Sequence, residues 1–129
     1  MSNESPLRLA SRLAQAGRTA EAIACLEAAL AASRSDRERP ANASLLARTA
    51  GLLSQQAGHL ASAAFYYEEA LALDRDPLLL LALAGVRWQF GQAEAAQISL
   101  AEAESLAKAS SDDDALSMIA SLRTRWSGR

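Results

Sequence analysis

Residues 57–74 decide the fold, and they read Ala-Gly-His-Leu-Ala-Ser-Ala-Ala-Phe-Tyr-Tyr-Glu-Glu-Ala-Leu-Ala-Leu-Asp. Alanine and leucine dominate this stretch and the whole chain, and both favour helix. β-branched residues, which favour strands, are scarce. Gly58 stands where a tight turn needs a residue that tolerates positive φ. The stretch therefore predicts the turn and the second helix of an antiparallel helical hairpin.

The surroundings of Gly58 occur three times in the chain, because Gly17 and Gly91 also follow a glutamine two residues earlier. Counted from each glycine, a small residue lies seven before, alanines lie five and twelve after, and a large residue lies nine after. These positions are Ala10, Gly51 and Ala84; Ala22, Ala63 and Ala96; Ala29, Ala70 and Ala103; and Leu26, Tyr67 and Leu100. Small residues let two helices approach closely, and the large residue fills the space between hairpins. Such a unit buries its apolar face only by stacking on neighbours.

The spacing of the glycines gives the period of the repeat. Gly58 and Gly91 are 91 − 58 = 33 residues apart, and Gly17 and Gly58 are 58 − 17 = 41 apart. A period of about 34 residues is typical of tetratricopeptide repeats. The longer interval indicates an insertion at Ser33–Pro40, a charged, proline-containing segment without helical period. From about residue 5 to 108 the chain resembles the tetratricopeptide repeat family, and residues 57–74 are very similar to that family's second helix and exit.

This resemblance implies an all-α fold, an α-α superhelix (a solenoid) of three helix hairpins in a single domain over residues 1–129. The expected repeats are 5–33, 41–74 and 77–109. The expected helices are 6–16, 20–32, 41–57, 60–73, 77–90 and 93–109, with Asp76 capping the fifth. A C-terminal capping helix is predicted at about 112–126, because Ser111-Asp112-Asp113-Asp114 matches a capping box.

The resemblance also implies that the first helices of the hairpins line a concave groove that binds extended peptides or helices. Counting back from the turn glycines gives the expected partner-binding residues. They are Leu45, Arg48, Leu52, Gln55 and Gln56 in the second repeat, and Leu78, Leu81, Trp88 and Gln89 in the third. Leucines, a tryptophan and glutamines favour an apolar partner segment whose backbone meets the glutamine amides. In the alternative interpretation, Leu78 and Leu81 are covered by the protein's own N-terminus or belong to the core.

The function expected from this resemblance is that of a protein–protein interaction module: an adaptor, scaffold or chaperone that binds a partner peptide or helix in the groove. Small three-repeat bacterial chaperones of type III secretion and pilus-assembly factors are similar in size and in their apolar groove. The alternative is a structural homodimer that self-associates through the helix at 77–90. Exposure of Leu78, Leu81 and Trp88 in a monomer distinguishes the two.

Charge and residue counts exclude other classes. The net charge is −2, and acids and bases are mixed along the chain without a basic stripe, so nucleic acid is not an expected partner. The apolar run Leu78–Val86 is far shorter than the ~20 residues of a membrane span, so the expected location is cytoplasmic, without membrane insertion. Cys25 and His59 are the only cysteine and histidine. We therefore expect no catalytic residues, metal or cofactor, and no enzyme; Asp112–Asp114 suit a helix start rather than a calcium loop.

Overall fold

A computed structural model describes residues 5–34 and 42–127, and within these ranges the chain forms seven α-helices and no strand. The helices are α1 (Pro6–Gln15), α2 (Thr19–Arg34), α3 (Ala43–Gln56), α4 (Leu60–Leu73), α5 (Pro77–Gln89), α6 (Ala93–Ala109) and α7 (Asp113–Ser127). The pairs α1–α2, α3–α4 and α5–α6 pack most extensively, and α7 packs on α6. The prediction of an all-α, tetratricopeptide-like fold of three hairpins and a terminal helix is confirmed.

The helices divide between two compact units, Met1–Asp74 and Arg75–Arg129. In unit 1, α2 packs on α1 and α3, α3 packs on α4, and α1 also touches α3. In unit 2, α6 packs on α5 and α7, and α5 also touches α7. The single domain expected over residues 1–129 stays a prediction.

The three turn glycines adopt the left-handed backbone that the sequence predicts, with φ of +81° at Gly17, +82° at Gly58 and +86° at Gly91. The Gly58 amide donates to the Gln55 carbonyl at 3.0 Å, and the His59 amide donates to the Ser54 carbonyl at 2.8 Å. This pair of bonds satisfies carbonyls at the helix end that would otherwise lack partners. Each hairpin is therefore closed by the same turn.

The turn between α6 and α7 has the same construction with serine in place of glycine. Ser111 has φ of +55°, and the Asp112 amide donates to the Ala107 carbonyl at 2.8 Å. The Asp112 side chain then accepts from the Ala115 amide at 3.0 Å, so Asp112 is the N-cap of α7. The N-cap is therefore Asp112 and not Ser111, which ends the preceding turn, and Ala115 three residues later cannot return the second bond of the expected capping box.

The small and large landmark residues lie where close helix packing requires them. Of the twelve positions, Ala29 alone is not fully buried. A particularly close contact lies in unit 1, where a Cβ atom added at Gly51 would lie 2.7 Å from the Cδ1 and Cε1 atoms of Tyr67. The Tyr67 ring therefore occupies the space that a side chain at position 51 would fill.

Two boundaries differ by two residues from those expected, and the others differ by one residue at most. Helix α2 continues to Arg34 instead of ending at Ala32, because the Ser33 hydroxyl bonds the Leu30 carbonyl at 3.1 Å and Arg34 is held by ion pairs. Helix α3 begins at Ala43. The rest of the expected insertion, residues 35–40, lies outside the described residues, as does Ala41. The predicted cap of α5 is confirmed, since the Asp76 carboxylate accepts from the Leu78 amide at 2.9 Å.

Candidate protein-binding surfaces

Helix α3 in unit 1 presents an exposed apolar face. Leu45 and Leu52 are 45% and 47% exposed, and they lie on the same side of the helix because seven residues make about two turns. The opposite side is buried, and it carries Leu46, Ala47, Ala50, Gly51, Leu53 and Ser54. The two leucines are therefore not part of the core of unit 1. We call Leu45, Leu52, Arg48 and Gln56 the α3 face.

The polar members of the α3 face differ in their surroundings. Arg48 lies between the two leucines along the helix and is half-buried, whereas Gln56 is exposed. The positive charge of Arg48 acts on the Tyr67 hydroxyl, where it partly opposes the effect of burial, which raises the Tyr67 pKa to about 12. Arg48 therefore sits beside the α3–α4 contact as well as on the surface.

Gln55 has a structural role that sequence reasoning did not foresee. Its side-chain carbonyl accepts a hydrogen bond from the Tyr67 hydroxyl at 3.0 Å. Because this bond holds the buried ring in place, Gln55 links the α3 face to the α3–α4 packing. The sequence instead predicts that the Gln55 side chain hydrogen-bonds the backbone of a bound partner.

In unit 2 the expected partner-binding residues separate into exposed and buried ones. Leu78 is 42% exposed and Gln89 is exposed, but Leu81 is only 5% exposed. Leu81 was expected on the binding surface, and its burial agrees with the alternative interpretation, that it belongs to the core. Leu78 does not agree with that alternative.

The half-buried Trp88 is stacked on Trp126 near the end of α7. The ring centroids are 4.5 Å apart and the planes differ by 6°. Trp126 is itself buried, so the pair fastens the end of α7 to α5. The sequence analysis predicts Trp88 as a partner-binding residue but gives Trp126 no role. The position of Trp126 in the last turn of an amphipathic helix was the available signal.

The outward side of α7 was also missed. It bears an open depression of about 370 Å³, lined by Ser117, Met118, Ser121, Leu122 and Arg125. These residues follow one another at intervals of one and three along one helix, and Met118 is 49% exposed. The pattern is visible in the sequence as two apolar residues among hydroxyls.

Within the mixed charge distribution expected above, the acidic residues of the three hairpins lie in the second helices and not in the first ones. In unit 1, α1 and α3 contain Arg8, Arg12 and Arg48 and no acidic residue, whereas α2 and α4 contain Glu21, Glu27, Glu68 and Glu69 and one base, Arg34. In unit 2, α5 contains Arg87 and no acid, whereas α6 contains Glu94, Glu102 and Glu104 and one base, Lys108. Counting charges helix by helix would have found this pattern.

In unit 1, three acids of the second helices form ion pairs with Arg18 or Arg34. Arg34 at the end of α2 bonds both Glu27 and Glu69, the latter at 2.6 Å, and these carboxylates raise the arginine pKa. Its guanidinium also lies 5.8 Å from the centre of the Phe65 ring. Glu21 pairs with Arg18 in the first turn. Glu69 is therefore a half-buried ion-pair residue.

The other two candidate residues, Cys25 and His59, lie apart from each other in separate local environments. Cys25 is half-buried with its thiol 3.7 Å from the Pro6 carbonyl, and His59 is exposed in its turn. Among the described residues, no group of three or more histidine, cysteine or acidic side chains could hold a metal ion. Within the same residues, no helix has the length and apolar character needed to cross a membrane.

Comparison with known proteins matches the part of the chain that contains the contact between Gly51 and Tyr67. Residues 49–77 match the family model of the tetratricopeptide repeat. This range holds most of α3, the Gly58 turn and all of α4. No curated protein sequence matches the chain. Residues 49–77 are therefore similar to a tetratricopeptide repeat, and the seven consecutive helices of the described chain are consistent with a fold built from repeats of this type.

Proposed function

We propose that the chain is a non-catalytic adaptor, scaffold or chaperone that binds a peptide or helix of another protein through the exposed faces of its first helices. Tetratricopeptide repeats are generally protein–protein interaction modules, and their all-α fold is typically non-catalytic. The observation that carries the proposal is the α3 face, where Leu45 and Leu52 stay about half exposed on a helix whose other side is fully packed. An exposed apolar patch on a small protein usually marks an interface.

The expected contribution of the α3 face follows from the exposed area. Complete burial of a leucine contributes about 1.5–3 kcal/mol, and roughly half of each side chain remains to be buried. Each leucine therefore contributes about 1 kcal/mol to binding, and the pair contributes about 2 kcal/mol, or roughly 30-fold in Kd. Leu78 and Gln89 of α5 are the corresponding candidates in unit 2.

Helix α5 offers little exposed apolar surface for the homodimer alternative. Stable interfaces bury at least about 1,000 Å² in total. In α5, all of whose residues the structure describes, Leu78 is the one large apolar side chain that is exposed. Leu81 is buried and Trp88 is covered in part by Trp126, so the surface offered by α5 is small. We therefore favour a foreign partner over self-association.

The test compares Leu45→Asp/Leu52→Asp with wild type and with a matched control. Ile98→Asp is that control, because Ile98 is 60% exposed on a second helix and loses the same chemistry. Partners captured from cell extract are identified, purified and titrated against each form. We expect weakening of roughly 30-fold or more for the α3 variant and little change for the control. Equal binding by all three proteins would contradict the proposal.

Light scattering on the same proteins decides the alternative. A wild-type dimer that Leu78→Asp converts into a folded monomer, while the α3 variant stays dimeric, would establish the homodimer. A monomeric wild type supports binding of a foreign protein.

A further inference from the structure

We propose that the outward side of α7 binds a second copy of this chain, so that the α7 helices of two molecules pair in antiparallel orientation about a two-fold axis. This dimer uses no residue of the α3 face and none of α5. It therefore goes beyond the proposed function, and either of the two can fail without the other. Its basis is the order of charged, small and apolar residues along one stripe of α7.

Six residues of α7 form this stripe, because they follow one another at intervals of three and one, the spacing that places side chains on one side of a helix. They are Asp114, Ser117, Met118, Ser121, Leu122 and Arg125. The last five line the depression of about 370 Å³, and all six are exposed except Leu122, which is half-buried. We call these six residues the α7 stripe.

A different side of α7 packs within unit 2. It carries the buried residues Ala115, Ile119 and Trp126, of which Trp126 stacks on α5. Arg123 lies on that side too and donates to the Glu104 carboxylate of α6 at 2.8 Å. The α7 stripe is therefore the part of the helix that unit 2 leaves uncovered.

The α7 stripe is complementary to itself when its direction is reversed. In a symmetric pair, each contact occurs twice, once from each copy. A two-fold axis midway between positions 119 and 120 places Ser117 opposite Leu122 of the other copy. It also places Met118 opposite Ser121, so each large side chain faces a small one. Alternation of large and small residues across facing positions lets two helices interdigitate closely.

The charges at the two ends of the α7 stripe select the antiparallel orientation. The same two-fold axis places Asp114 opposite Arg125 of the other copy, which gives two ion pairs, whereas a parallel pair would bring like charges together. Both side chains are exposed, and neither has an ion-pair partner within the described part of the chain. Because exposed ion pairs add little affinity, they set the orientation, and Met118 and Leu122 supply the apolar area.

The size of the α7 stripe sets the strength of the dimer. Helix α7 has 15 residues and is therefore about 22 Å long. A strip of this length and about 10 Å wide is well below the roughly 800 Å² that each partner buries in a standard interface. We therefore expect a reversible dimer with a Kd on the order of 10–100 µM.

Sedimentation equilibrium on the full chain, from about 1 µM to about 1 mM, measures this association. The wild type should change from monomer to dimer over that range, and Met118→Asp should weaken the dimer about tenfold or more. Ile98→Asp is the matched control, because Ile98 is a similarly exposed apolar residue of unit 2 that lies on α6. Circular dichroism verifies that each variant is folded.

Exchange of charges tests the pairing itself. Asp114→Arg and Arg125→Asp should each weaken the dimer about tenfold, because each turns both ion pairs into like-charge contacts. An equimolar mixture of the two variants should associate as a heterodimer, since one copy then carries two arginines and the other two aspartates. Asp113→Arg is the control, because it makes the same change in the same turn but lies off the α7 stripe.

A disulfide test determines the orientation. In a Cys25→Ser background, Ser117→Cys and Leu122→Cys variants are mixed under mild oxidation by oxidised glutathione. The antiparallel register predicts that the mixed disulfide forms faster than either symmetric one, whereas a parallel pair predicts the reverse.

Several results would overturn the inference. They are a wild type that stays monomeric up to about 1 mM, a dimer that Met118→Asp leaves intact, an equal effect of Asp113→Arg and Asp114→Arg, and preferential formation of the symmetric disulfides. A dimer that Leu78→Asp abolishes would assign self-association to α5 instead, and Met118-dependent binding of phosphatidylcholine vesicles by a monomeric chain would assign the α7 stripe to a membrane surface. The Leu45→Asp/Leu52→Asp variant should dimerise like the wild type, so failure of the dimer leaves the proposed function standing.

Discussion

Replacing Gly51 with alanine should destabilise the protein, although the same change in an unobstructed helix stabilises it. An added Cβ at position 51 lies 2.7 Å from two ring carbons of Tyr67, whereas carbon atoms normally approach to about 3.5–4.0 Å. The ring must therefore move by about 1 Å, or α3 and α4 must separate. Tyr67 cannot easily move, because it is buried and its hydroxyl is bonded to Gln55.

The magnitude combines opposing terms. Alanine is favoured over glycine inside a helix by about 1 kcal/mol. Overpacking by one methyl group costs about 1–3 kcal/mol, and loss of the Tyr67–Gln55 hydrogen bond costs about 1 kcal/mol more. We expect Gly51→Ala to lower the free energy of unfolding by about 1–3 kcal/mol, measured by urea denaturation.

Gly85→Ala is the matched control. Gly85 also lies within a helix, α5, but a Cβ added there has no neighbouring atom within 4 Å. This change should therefore raise the free energy of unfolding by up to about 1 kcal/mol. The reasoning would be refuted if Gly51→Ala stabilised the protein as Gly85→Ala does.

A double mutant tests the cause directly. In the first and third repeats the equivalent residues are alanine and leucine, at Ala10 with Leu26 and at Ala84 with Leu100. Gly51→Ala combined with Tyr67→Leu recreates that pair. In the Tyr67→Leu background, Gly51→Ala should no longer destabilise, which gives a coupling free energy of about 1 kcal/mol or more.

The remaining predictions concern a turn, an ionisation and a ring pair. Ser111→Gly should raise the free energy of unfolding by about 1 kcal/mol in urea denaturation, because serine at positive φ is strained, whereas Ser110→Gly should not. Burial raises the Tyr67 pKa from 10.0 to about 12, so the neutral phenol favours the folded state below pH 10 and this contribution is lost as pH rises through 12. Tyr67→Phe should therefore flatten stability over that interval, as followed by denaturation at each pH. Trp126→Ala should destabilise unit 2 by about 3 kcal/mol and abolish the near-ultraviolet dichroism of the Trp88 stack; unchanged dichroism would argue against the stack.

The helices and turns could be predicted from the sequence because their causes are local. Gly17, Gly58 and Gly91 mark positions where the backbone must adopt positive φ, and alanine at fixed offsets marks where two helices approach. Ser111 escaped the same reasoning because serine rarely adopts that conformation and gives no signal by itself. The hydrogen bonds of its turn reveal the shared construction only in three dimensions.

The exposed residues were harder to predict, and α5 shows why. Leu78, Leu79, Leu80 and Leu81 are consecutive, so no periodicity indicates which of them faces outward. The structure exposes Leu78 and buries the other three. In α3 the polar residues Arg48 and Gln56 interrupt the apolar pattern and so indicate the outward side. Leu45 and Leu52, which the sequence predicts on that side, are exposed.

Contacts between residues that are distant in the sequence could not be predicted from it. The stacking of Trp88 on Trp126 depends on how α7 returns to α5, which no local pattern specifies. The bond from Tyr67 to Gln55 likewise depends on the hairpin geometry. The concentration of acidic residues in the second helices, by contrast, could have been predicted from the sequence, because it depends only on the helix boundaries.

The most direct test of the central claim is site-specific photo-crosslinking in living cells, with benzoylphenylalanine at position 52 and, as the control, at position 98. Leu52 belongs to the α3 face, and Ile98 is a similarly exposed apolar residue on a second helix. The account predicts a covalent adduct with a different protein at position 52 and not at position 98. Adducts formed only at position 98, or equally at both, would contradict binding through the first helices.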